Sequence, residues 1–280
     1  MIKYKDIRWT VVWLTGILFL AAWDILFLNK PALKKVAAGF VNTFTIAVLV
    51  ICITLLLGWL TALLLHFLSL RKRRTGYMAI MFILNLLRSI PQVVGILFGY
   101  ILVSYLHDAG ILKSAFSLFP VLAFFMSLFI FIEVVDLIRE RIDHFRKLDF
   151  YNAMRVCGIP ESRVVNFHIL WKNSRIHIFN KLISIFGMAI FLQCSVDFII
   201  SVGLSTDVNE VSLPATLGSL LAKIDSKQDI LAIGYTLTNP AYAGHLFFQH
   251  LQGISIAFLI VFSLLSIYNI SNGYAERHRL

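Results

Sequence analysis

The sequence predicts an all-α polytopic membrane protein of about six transmembrane helices, with a helix–turn–helix loop standing out on one face of the membrane. Three observations predict it. Hydrophobic residues make up 59% of the 280 and charged residues only 14%, against roughly 45–50% and about 25% in soluble domains. Six runs each hold the roughly 20 mainly apolar residues that cross about 30 Å of hydrocarbon at about 1.5 Å per residue. Between the fourth and fifth runs lies a polar, basic segment, LDFYNAMRVCGIPESRVVNFHILWKN, residues 148–173. It carries a Gly-x-Pro break between two short helical patterns.

The first run, 9–28, is too long for the apolar core of a secretory leader and lacks a small-x-small cleavage site before Leu28, so it reads as a retained helix. Asn29-Lys30-Pro31 ends it, and Lys34-Lys35 separates it from the second run, 40–67. The division expected is 1–35 for the tail and a lone first helix, 36–273 for a five-helix unit, and 274–280 for a tail. The third run, 77–106, contains Arg88 and Pro91, so its start is expected to be interfacial or broken. The fourth, fifth and sixth runs are 114–138, 176–202 and 252–270. Between the last two, 205–250 is the largest connection, and its stretch LPATLGSLLAKI alternates polar and apolar positions as a short helix at the outer interface would.

Basic residues set the orientation. Eighteen Lys and Arg fall on the side of the N-terminus, including Arg71-Lys72-Arg73-Arg74, and six on the other. That bias assigns both termini and the 148–173 loop to the cytoplasm. The net charge of +10 is mainly this topology signal, spread over span ends, and does not describe a nucleic-acid surface. Cys52, Cys157 and Cys194 have no metal-ligand spacing and imply no disulfide framework.

Within the loop, Phe150, Ala153, Met154 and Cys157 fall at i, i+3, i+4 and i+7, one apolar stripe on a short helix. Asp149 stands at the N-cap position and Gly158 where a left-handed residue would end the helix. Pro160 then suits the first turn of a second helix, with Glu161 favourable near its N-terminus. That helix runs on through Val164, Val165 and Phe167.

Asn152-Ala153-Met154, three residues, Gly158, nine residues, then His168-Ile169-Leu170-Trp171 resembles the coupling motif of ABC-transporter permeases, Glu-Ala-Ala-x3-Gly-x9-Ile-x-Leu-Pro. The His168-Ile169-Leu170 variant with Asn173, and the ending Tyr268-Asn269-Ile270-Ser271-Asn272-Gly273-Tyr274, are similar to the dipeptide, oligopeptide and nickel branch. The resemblance runs from about residue 36 to the end. It departs where the motif's glutamate is Asn152, its second alanine Met154 and its closing proline Trp171. The branch's acidic segments after the first span are absent, and an acidic position in the fifth span corresponds to Gln193.

The resemblance implies a type-I importer subunit in a bacterial inner membrane. Its partners would be a second permease, an external solute-binding protein, membrane lipid, and ATPase subunits gripped by the loop through Asp149, Phe150, Asn152, Ala153, Met154, Gly158, Pro160, His168 and Leu170. The chain has no GxxxxGK[ST] phosphate loop, so ATP and Mg are expected on the separate ATPase and no cofactor on this chain.

Charges at membrane depth cost at least about 2.5–3.5 kcal/mol at a helix centre, so each needs a reason. Arg88 either lines a pathway or pairs with Glu133 or Asp136. Gln193 and Asp197, one helical turn apart, either line a pathway or hold helices together. Glu133 and Asp136 are expected to pair with Arg139 and its basic neighbours, and Asp24 and His66 to be interfacial. His245 and His250 lack enough neighbouring ligands for a metal. HExxH and GxSxG are absent, and the intramembrane acids scatter between the interfaces, which argues against a membrane enzyme. The remaining alternative is a scaffold or regulatory protein whose loop docks a cytosolic partner without moving solute.

Overall fold

In a computed structural model, residues 4–28, 30–112, 114–203, 214–222, 224–249 and 251–278 are described. Lys3, Lys113, Lys223, His250, Arg279 and residues 205–213 of the long connection lie outside them. The described residues form helices and no strand. Four helices are long and apolar enough to span a membrane, and two bent pairs bring the total to six when each pair counts once.

The first span is α1 (Lys5–Phe27) and the second α2 (Lys30–Leu70). At 41 residues, α2 is about 60 Å long and takes in Lys34 and Lys35, expected to lie between spans. The third run is broken, as Pro91 foretold: α3 (Arg74–Ser89) meets α4 (Gln92–Asp108) at 93°. The fourth bends by 49° between α5 (Ala115–Ile130) and α6 (Ile132–Arg146). Then come α7 (Asp149–Val156), α8 (Glu161–Arg163), a π-helical run (Val164–Asn173) and α9 (Arg175–Gly203). The far connection holds α10 (Leu217–Leu221), α11 (Ile224–Thr238) and α12 (Ala243–Gln249), and α13 (Leu251–Arg277) closes the chain.

The core lies among α2, α4, α5 and α9, around Ile46, Val50, Ile96, Tyr100, Met126 and Ile185, all buried. Lipid gives helices no hydrophobic reason to associate, so close packing at small residues must hold them. Gly95 and Gly99 on α4 serve that purpose. A Cβ on Gly95 would fall 2.3 Å from the Phe129 ring, and one on Gly99 2.7 Å from Phe125 Cβ.

The first helix is not alone. It lies along α13, with Trp13 Nε1 donating to Ser263 Oγ at 3.1 Å and Arg277 paired with Asp6 at 3.2 Å. Asp24, near the end of α1, is 3% exposed and accepts from Ser255 Oγ of α13 at 2.6 Å. The stretch expected as an outer interfacial helix is buried too. Leu217 and Leu220 of α10 are inside, Thr43 Oγ1 accepts from Leu217 N at 3.0 Å, and Asn42 Nδ2 donates to the Ala215 carbonyl at 2.8 Å. Its pattern of apolar residues is that of a wedge between helices, which an amphipathic surface helix shares.

Candidate functional site

The loop after α6 folds as two limbs about a glycine corner. The corner is a Schellman turn: Ile159 N donates to the Met154 carbonyl at 3.1 Å and Gly158 N to the Arg155 carbonyl at 3.1 Å. This geometry requires a left-handed residue after the helix, and Gly158 has φ +77°. The expected corner is therefore present at the expected residue. The two positions beside it shift by one. Asp149 is the first helical residue, following Leu148 as cap, and Pro160 (φ −64°, ψ 142°) is the cap of α8.

The expected stripe on α7 is only partly right. Met154 is buried, but its inward companion is Tyr151, and Phe150, Ala153 and Cys157 are exposed. With Val156, which is 88% exposed, these three give α7 an apolar outer face edged by Asp149 and Asn152. Sequence periodicity alone could not distinguish this second face from the inner one, because both are apolar.

A buried carboxylate fixes the inner side. Glu161 is 9% exposed. Its Oε1 accepts from the Tyr151 hydroxyl at 2.6 Å and lies 2.8 Å from His66 Nε2, while Arg155 Nη1 stands 3.0 Å from Oε2. Burial pushes the carboxyl pKa up, but the bonds from Tyr151 and His66 and the charges of His66 and Arg155 outweigh it and hold it below the usual value. Burial and the neighbouring Glu161 raise the Tyr151 hydroxyl in turn. His66 is thus a buried partner of the loop. The sequence offered Glu161 as a helix-end acid and gave no sign of partners drawn from α2.

Two further ties brace the second limb. Trp59 Nε1 of α2 donates to Asn166 Oδ1 at 3.0 Å, and Arg141 Nε of α6 donates to Ser174 Oγ at 3.2 Å. The limb itself is mostly a ten-residue π-helical run, where an α-helix was expected. Val164 and Val165 are buried, and so are Ile169 and Leu170, five positions further on, which matches i→i+5 bonding. His168 is half-buried, and its carbonyl accepts from Asn173 Nδ2 at 2.7 Å.

Arg88, Gln193 and Asp197 make none of the loop's contacts described above. Arg88 pairs with Asp136 and reaches Asn85 Oδ1 at 3.3 Å. Glu133 pairs with Lys181 of α9 at 2.5 Å, and Arg139 Nη2 goes to the Tyr77 hydroxyl at 3.0 Å. The pairing of Arg88 with Asp136 is one of the two readings that the sequence offered for Arg88; Glu133 takes Lys181 of α9 rather than Arg139. Asp197 is 6% exposed and accepts from Thr216 Oγ1 at 2.5 Å. Gln193 is fully enclosed, and neither atom of its amide has a hydrogen-bond partner. Among the described residues no group of His, Cys, Asp or Glu could hold a metal ion.

A comparison with curated proteins gives no match. Residues 54–278, from within α2 to the end of α13, match the family described as binding-protein-dependent transport system inner membrane component. With the membrane helices, the glycine corner and the braced loop in one chain, the match covers most of its length. The protein belongs to that family of inner membrane transport components.

Proposed function

We propose that this permease subunit serves an ATP-driven importer of peptides or related small solutes, and that its 148–173 loop receives the force of a separate ATPase. The observation carrying this reading is the asymmetry of α7. Its outer face (Phe150, Ala153, Val156) is apolar and uncovered, while its inner face is tied through Glu161 to α2. Such an element can take a push from a docked protein and pass it to membrane helices. The motif positions Asn152 and Ala153 lie on the uncovered side and Gly158 at the corner, as a docking role requires.

The ATPase would carry ATP and Mg, a second permease would complete the pathway, and an external binding protein would deliver solute. The peptide class rests on the His168-Ile169-Leu170 variant and the ending around Asn269. Of the intramembrane residues, we assign Asp197 to anchoring α10 in this conformation, since it is buried and accepts from Thr216 at the N-cap of that helix.

Val156→Asp tests the docking face. At 88% exposure the substitution leaves the fold intact, so the variant should insert normally yet lose an ATPase that co-purifies with the native chain from its own membrane. Retention of the ATPase at native levels would sink the docking assignment.

A further inference from the structure

The turn 71–74 and the start of α3 lie outside the loop on which the proposed function rests. With α4 crossing the bundle beside α5, the 93° bend lays α3 across the span direction, at the end of the bundle where α2 finishes. One side of α3 packs inward through Tyr77, Ile80, Met81, Leu84 and Leu87. The other side is apolar as well: Met78, Phe82, Ile83 and Leu86 are 50–69% exposed. A helix lying flat at a membrane end with such a face is covered by acyl chains.

Arg71, Lys72 and Arg73 immediately before α3 and Arg74 at its first position are all exposed, and among the described residues none has an acidic partner. Their spatial arrangement comes from a second Schellman turn. Arg73 N donates to the Leu68 carbonyl at 3.1 Å and Lys72 N to the Ser69 carbonyl at 3.2 Å. The left-handed position that is Gly158 in the loop is here Lys72, with φ +52°, and among the described residues it alone is non-glycine with positive φ. A side chain at that φ is sterically disfavoured, so a lysine there trades backbone comfort for a fourth adjacent charge. Retained strain of this kind points to function. The N-terminal end of α3, with its partial positive charge, adds to the same field.

We infer that residues 71–74 and α3 form a binding site for an anionic phospholipid. Its phosphate sits at the cationic turn, and its chains lie over Met78, Phe82, Ile83 and Leu86. Clustered basic residues beside a span attract acidic headgroups in this way, and the apolar face supplies what a soluble phosphate could not use.

The test is native mass spectrometry of the full chain in detergent, titrated with phosphatidylglycerol or phosphatidylcholine of matched chains. The native protein should retain phosphatidylglycerol in preference. Lys72→Gly relieves the strained φ, so its thermal midpoint should hold or rise while phosphatidylglycerol affinity falls about fivefold, the share of one basic residue. R71Q/K72Q/R73Q/R74Q should bind the two lipids equally. Equal binding by the native chain, or an undiminished preference in Lys72→Gly and the quadruple variant, would overturn the assignment and give the face to a protein partner.

Discussion

His66 Nε2 lies 2.8 Å from Glu161 Oε1, a buried contact between residues 95 apart in sequence. It fastens the end of a membrane-spanning helix to the corner of the loop that the proposed function relies on. The same oxygen accepts from Tyr151 on the other limb, so one carboxylate sets the position of three elements. Removing one partner of a buried charged group leaves the rest unsatisfied, which costs more than the pair itself contributes.

The first prediction concerns Glu161 and pH. Its folded pKa lies below its ordinary 4.5 because hydrogen bonds and positive neighbours overcome burial. A depressed carboxyl pKa contributes stability that is present above the unfolded value and lost as pH falls through the folded value. Hydrogen-exchange protection in 149–163, taken relative to the intrinsic rate at each pH, should therefore hold above about pH 5 and fall below the ordinary carboxylate range. Glu161→Gln should flatten that dependence and start from weaker protection. Identical acid profiles for native and variant would remove Glu161 as the cause.

A second prediction isolates backbone strain at the corner. A Cβ on Gly158 would meet nothing within 4 Å, so crowding plays no part and φ +77° alone decides. Gly158→Ala should cost about 1–2 kcal/mol, Gly158→Asn less and the β-branched Gly158→Val more. Transport in a reconstituted complex should fall in the order Gly, Asn, Ala, Val, with membrane insertion preserved. Native-level transport by Gly158→Val would show that the left-handed corner does not matter.

Much of this was legible in the sequence because it depends on local chemistry. The spans show as apolar runs, Pro91 announces the break before α4, and Gly158 announces the corner. The loop's inner contacts were not legible, since Tyr151 and Phe150 are both aromatic at adjacent positions and only the neighbouring elements decide which one is buried. The Arg88–Asp136 pair was among the alternatives that the sequence offered, whereas the Glu133–Lys181 pair depends on which helix lies beside α6, and adjacency is not written in periodicity. The π-helical run left a trace in the five-residue spacing of Val164 and Ile169, but an α-helical reading absorbs the same residues.

A third prediction tests the anchoring of α10. A Cβ on Gly218 would sit 2.6 Å from the Cys194 carbonyl oxygen and 2.7 Å from Cys194 Cα, both backbone atoms unable to give way. Gly218→Ala should push α10 from its seat at about 1–3 kcal/mol, the usual range for overpacking, and lower the yield of monodisperse protein. Asp197→Asn keeps an acceptor for Thr216 and should be milder. If Asp197→Asn instead blocks transport at native stability, Asp197 faces the solute in another conformation and the anchoring role is insufficient.

The last prediction separates the two readings of Arg88. Its partner Asp136 is half exposed, and Arg88 itself is 36% exposed, so the pair sits where solvent or headgroups screen it. Exposed pairs are worth about 0–1 kcal/mol. A double-mutant cycle of Arg88→Gln and Asp136→Asn should show each single variant losing less than about 1 kcal/mol and the double losing little more than either. Transport should be near native in all three, because a guanidinium engaged by Asp136 is serving the packing of α3 on α6. A solute role predicts a different pattern: Arg88→Gln would abolish transport while Asp136→Asn, which frees the guanidinium, would spare or raise it. That asymmetry between two partners of one ion pair cannot arise from packing alone.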